Sequence, residues 1–261
     1  MRDRTFLDSK PLSTKTPILC LEELLDDVLN IKGNHEIEKI KALEERIELY
    51  RKAESDNERL NYISFLLQSL SDEREFNRTP ARCQIQHFVF DRLTTVHSLD
   101  LMDVRLSARA SLDWGYTSAH AWAMKLLKNL ENFKEDKRYI SIKGSIHTNA
   151  TLGLIRGKSG PFLMKKDQEA NPHLYDGMVM YPWEVLTAMF NIHYSTLMEI
   201  CGDKGGYYKV AKATVTVRKG ILFDDDNLIE EGLSILREAG KHVIVEMLQK
   251  EVEDYKEVED L

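Results

Sequence analysis

The feature that most constrains this chain is a change of hydrophobic period near Lys137. From Pro17 to Phe133, apolar residues recur three or four apart, the spacing of one helix face. Leu21, Leu24, Leu25, Val28 and Leu29 make a first stripe, closed by Gly33. Ile37, Ile40, Ala42, Leu43, Ile47 and Tyr50 make a second, between Asn34 and Ala53. Ser55, Asp56 and Asn57 break the pattern and supply N-cap side chains. A third stripe follows: Leu60, Ile63, Phe65, Leu66, Leu67 and Leu70. Thr79-Pro80 is a helix start for Ile85, Phe88, Val89, Leu93 and Val96, with 99–112 continuing after a bend. Ala119, Trp122, Ala123, Leu126, Leu127, Leu130 and Phe133 share one face of a helix over 115–133.

Beyond Lys137 the pattern reads as alternation. Ile140, Ile142 and Ile146 alternate with Tyr139, Ser141, Lys143, Ser145 and His147, which is period two. A glycine-punctuated stretch follows, so 138–166 reads as a hairpin or small sheet. Residues 167–180 read as a loop. Pro182 opens a buried helix with Val185, Leu186, Met189, Phe190 and Leu197, ending near Gly202. Ala211, Ala213, Val215 and Val217 then alternate with Lys212, Thr214, Thr216 and Arg218, a second β region. Asp224–Asn227, with Glu230 in the capping-box position, start a final helix carrying Leu228, Leu233, Leu236, Val243, Val245 and Leu248. The predicted fold is α+β and predominantly α-helical. Residues 1–16 are loose. A helical region, 17–133, packs with a mixed region, 134–261, that holds a small antiparallel sheet. No Ser/Gly-rich linker separates the two, so one continuous domain is as consistent as two.

Composition narrows the classes. The chain is 43% hydrophobic with 13 Gly and 6 Pro, too apolar for a disordered segment and too glycine-poor for collagen. No apolar run approaches the ~18 residues a bilayer needs. The three cysteines, Cys20, Cys83 and Cys201, are far apart and lack zinc spacing, which suits a reducing compartment. No signal-peptide core stands at the N-terminus, so the sequons at Asn77 and Asn149 carry no weight. The expectation is a soluble intracellular protein with no membrane span, no metal and no organic cofactor. Charge is uneven. From Ile221 to Leu261 there are 13 acidic and 4 basic residues, more than the whole chain's net −7. Lys134–Gly220 holds 13 basic and 8 acidic residues. An acidic final helix thus masks a cationic middle, and could compete for its surface.

Several motifs bear on chemistry. Gly153 and Gly157, before Lys158-Ser159, suggest a phosphate loop, but three residues separate them where the Walker spacing has four. Gly160-Pro161 also opposes the helix that such a loop must open into. No GxSxG elbow is present. His87 and Asp91 share a helix face, with Asp100, Asp103 and His120 on neighbouring segments. No ligand spacing marks them, so carboxylate–histidine or carboxylate–arginine pairing is expected there. Trp114, Tyr116, Trp122, Tyr181 and Trp183, and the methionines 178, 180, 189 and 198, read as core.

Arg82/His87 and Arg92/His97 are two Arg-x4-His pairs on one helical stretch. The spacing resembles that of the HEPN ribonucleases, helical dimers that cut RNA without metal. Cys83 and Leu93 stand where that family usually has a polar residue. The resemblance implies metal-independent RNA cleavage by these four residues.

The other candidate site is the polar side of the two β regions. Lys143, Lys209, Lys212, Arg218 and Lys219, with Arg156, Lys158, Lys165 and Lys166 in the loops, would gather positive charge if the strands paired. With Tyr139, Tyr207 and Tyr208 beside them, they could follow a phosphate backbone and stack bases. The leading expectation is a non-enzymatic, oligomerising binding or scaffold protein that contacts single-stranded nucleic acid through this surface. The alternatives are the HEPN-like ribonuclease and a protein–protein interaction module with no nucleic-acid role.

Overall fold

The computed structural model describes residues 17–31, 36–53, 57–71, 89–110, 116–156, 181–202 and 205–259. The chain divides into two compact units, Met1–Ile85 and Gln86–Leu261.

The first unit holds α1 (Pro17–Leu29), α2 (Ile37–Ala53) and α3 (Glu58–Ser71), each packed on the other two. Their apolar stripes meet as their spacing dictates: Leu24, Leu25 and Val28 of α1, Ile40, Leu43 and Ile47 of α2, and Leu60, Ile63 and Leu67 of α3 are buried. Asn57 caps α3, its Oδ1 accepting the Leu60 N–H at 3.1 Å. Arg51 of α2 donates to Ser64 Oγ of α3 at 2.9 Å.

The second unit contains helical residues 89–95, then α4 (Leu101–Ala110), α5 (Tyr116–Leu130), α6 (Tyr139–Ile155), α7 (Trp183–Cys201), α8 (Tyr207–Phe223), α9 (Asp226–Glu238) and α10 (His242–Glu259). Two helices form its centre. Helix α6 packs against α4, α5, α7 and α8; helix α8 packs against α6, α7, α9 and α10.

These central helices are the segments whose alternation predicted strands. Every described element is helical, so the α+β expectation with an antiparallel sheet is overturned. The reason lies in the supposed polar faces. Thr214, Thr216 and Arg218 of α8 are buried along with Ala213, Val215 and Val217, and of the expected polar face only Lys212 is exposed. Thr216 Oγ1 donates to the Lys212 carbonyl at 3.0 Å, so its hydroxyl is satisfied within the helix. In α6, Thr148 Oγ1 likewise donates to the Gly144 carbonyl at 2.9 Å. A helix enclosed on most sides, with only the narrow stripe of Lys209, Lys212 and Lys219 reaching water, shows too little wet face to reveal its period. Ile140, expected beside Ile142 and Ile146, is exposed, because two residues turn a helix by about 200°.

Helix ends follow local chemistry. Asp136 accepts the Arg138 N–H at 2.8 Å just before α6. Asp224 in the left-handed region ends α8, and Asp225 caps α9 by accepting from Asn227 and Leu228. The single final helix of the expectation is broken at Gly240, where φ is 66°, and Lys241 N–H bonds back to the Leu236 carbonyl at 2.9 Å. Helices α8 and α9 meet closely at Gly232: a β-carbon there would lie 2.6 Å from the Ala213 carbonyl oxygen.

Candidate functional site

Three histidines meet inside the second unit, one each from α5, α6 and α7. On α7 the buried stripe runs Leu186, Phe190, His193, Leu197, Cys201, so His193 occupies a core position. His147 follows fully buried Ile146 on α6. His120 lies between Ala119 and Ala123, whose small side chains are fully buried on α5. His120 Nδ1 lies 3.1 Å from His193 Nε2, and His193 Nδ1 lies 2.9 Å from His147 Nδ1. The ring centroids are 5.2 and 5.1 Å apart. His193 is 0% exposed and His147 3%, while His120 is half-buried.

Desolvation of the charged form dominates the electrostatics. Burial, reinforced by the two neighbouring rings, holds His193 down to about 3. Burial, then the Lys143 charge, holds His147 down to about 4. Burial lowers His120 as well. All three rings are therefore neutral at neutral pH.

Neutral rings limit the proton arrangement to two orders. Each N···N contact needs one hydrogen, and His193 can donate at one nitrogen while accepting at the other. His147 Nε2 is buried without a hydrogen-bond partner. Leaving an acceptor orphaned there costs less than leaving an N–H orphaned. The favoured order has His147 Nδ1–H donating to His193 Nδ1 and His193 Nε2–H donating to His120 Nδ1. The nitrogens pair in series and share no common centre. Among the described residues, no group of three or more His, Cys, Asp or Glu side chains could hold a metal ion.

A buried arginine of α8 reaches the α6 residue next to His147. Arg218 of α8 is 3% exposed, and its Nη1 donates to the Thr148 carbonyl at 3.0 Å. Its Nε and Nη2 pair with both oxygens of Glu251 at 3.3 and 3.2 Å. The acidic final helix is thus anchored on a residue expected to contact nucleic acid.

The remaining candidates are spread out. Lys143 lies on α6 beside Glu131 and over the Tyr139 ring, and half-buried Arg156 follows the end of that helix. Lys209, Lys212 and Lys219 fall along one outer stripe of α8; the first two are exposed, and Lys219 sits 4.3 Å above the Tyr194 ring. Lys209 stands 4.0 Å from Glu238. The strands that would have joined these residues to Lys143 and Arg156 do not form. Lys158, Lys165, Lys166, Arg82 and His87 lie outside the described residues, as do Trp114, Met178 and Met180. Arg92 is half-buried, and His97 is exposed beyond helical residues 89–95. Of the aromatics read as core, Trp183 is 45% exposed.

Sequence reasoning placed His147 on a strand's polar side, considered His120 only with carboxylates, and did not single out His193. The available signal was a histidine at the third position of α7's apolar stripe.

Among the described residues these features define an all-helical architecture whose second unit holds a chain of three histidines. The chain matches no protein-family model, no curated protein and no solved structure. Among the described residues, no helix is long and apolar enough to cross a membrane.

Proposed function

We propose that this chain is a non-enzymatic helical binding protein that holds a polyanion, single-stranded nucleic acid foremost, along the outer stripe of α8. The observation supporting this is the alignment of Lys209, Lys212 and Lys219. Residues 212 and 219 differ by only about 20° in helical phase, and the three cations span about 15 Å. Tyr208, half-buried one turn before Lys212, offers a ring on the same side. His147 and His193 are buried and take no part in this stripe.

The test is fluorescence anisotropy with labelled single-stranded RNA. Neutralising three phosphates gives a log–log salt slope of about −2, so affinity should fall roughly 40-fold between ~50 and ~300 mM salt. A Lys212→Ala/Lys219→Ala variant should bind more weakly and with a shallower slope. No binding at low salt sinks the proposal. RNA cleavage lost on His97→Ala would instead favour the ribonuclease.

A further inference from the structure

We propose that the His120–His193–His147 chain is an acid-labile joint: it ties α7 to α5 and α6 while it carries at most one extra proton, and a second extra proton forces one of its contacts apart. The inference is independent of the α8 stripe.

The number of hydrogens limits what the chain can hold. Three rings have six nitrogens, and four of them form the two contacts at 3.1 and 2.9 Å. The neutral chain carries three hydrogens. Two occupy the contacts, and the third sits on an outer nitrogen, His120 Nε2 or His147 Nε2. One added proton fills the other outer nitrogen, and both contacts survive. A second added proton makes five hydrogens. At least three then fall on the four contact nitrogens, so one contact has hydrogen facing hydrogen. That contact must open, and a charged ring remains among apolar side chains.

The surroundings do not relieve this charge. Lys143, one turn before His147, adds positive potential to that ring. On α5, Lys125 is bonded to the Leu93 carbonyl. Arg218, reaching in from α8, has its charge matched by Glu251 of α10. Tyr207 of α8 is bonded to Ser145, and Tyr194 of α7 lies under Lys219. On α4, which packs on α6, Asp103 and Arg105 are both buried. Among the described residues, no carboxylate stabilises the protonated form of any of the three rings.

The sign of the pH effect follows. Burial pushes the folded rings below the ordinary histidine value, so folding excludes protons. The stability they confer is complete above about pH 6.5 and is lost as pH falls toward 4 and 3. The experiment compares chemical unfolding of the full chain with that of His193→Gln between pH 6.5 and 4.5. Glutamine keeps a donor and an acceptor but takes no proton. The wild-type unfolding constant should rise more steeply than the variant's, by up to about tenfold per pH unit for the one proton removed. Equal slopes overturn the proposal. Should the variant not fold, side-chain nitrogen NMR of the wild type decides. Neutral His147 and His193 at pH 6, with an N–H···N coupling between them, support the joint. Both N–H···N couplings persisting once two of the three rings are charged overturns it.

Discussion

Helices α2 and α6 are each 17 residues long, yet α2 buries three residues and α6 buries ten. In α2, Ile40, Leu43 and Ile47 face the core while Lys41, Glu44, Glu45 and Glu48 face water. Water writes the helical period into such a sequence. Helix α6 has no comparable wet face. Tyr139, Ile142, Gly144, Ile146, His147 and Thr151 are buried together, and selection for a polar side does not operate on it. The same contrast separates α9, with Ile229, Gly232, Leu233 and Leu236 on one side, from α8, which is enclosed almost throughout from Ala211 to Leu222. The lesson is that amphipathicity reports exposure as much as it reports helix.

The largest effect is expected at Thr214. Strand alternation would make it a solvated position, whereas in α8 it is 6% exposed. Thr214→Asp should therefore destabilise the chain by about 4 kcal/mol or more, since an unpaired carboxylate is forced inside. A change near zero in the urea midpoint would restore the two-faced reading.

The acidic residues offer a second contrast. Glu251→Ala strands the 3%-exposed Arg218 without its carboxylate and should cost about 3–5 kcal/mol. Glu45→Ala, on the exposed side of α2, should stay within about 0.5 kcal/mol. Unfolding curves for the two variants should separate clearly; equal midpoints would mean that Arg218 does not depend on Glu251.

A smaller effect is expected where α8 meets α9. Gly232→Ala sets a methyl 2.6 Å from the Ala213 carbonyl oxygen and should cost about 1–3 kcal/mol as the helices part. Gly205→Ala, with nothing within 4 Å, should be close to neutral. A stable Gly232→Ala protein would show that this crossing yields without cost.

The first-unit helices were legible because each shows water one face and ends in recognisable chemistry, such as Asn57. The period of α6 and α8 was not. Their β-branched residues favour strands locally, and five or six positions of alternation do not separate the two periods when threonine is counted as polar. The histidine chain was hidden for a different reason. Its members stand 27 and 46 residues apart along the sequence, on three helices, so only packing brings them together.

Legible in the chain were local features: the apolar stripes of α1, α2, α3, α5 and α7, the caps at Asn57 and Asp225, the acidic end and the basic middle. Each of these is set by neighbours within one or two turns. Packing alone decided that α6 and α8 are helices, that Arg218 points inward to Glu251, and that the rings of His120, His193 and His147 stand in series at hydrogen-bonding distance. The physical reason is common to all three. Burial replaces water with protein on every side, and that exchange overrides local strand preference, pairs a buried charge and drives imidazoles neutral.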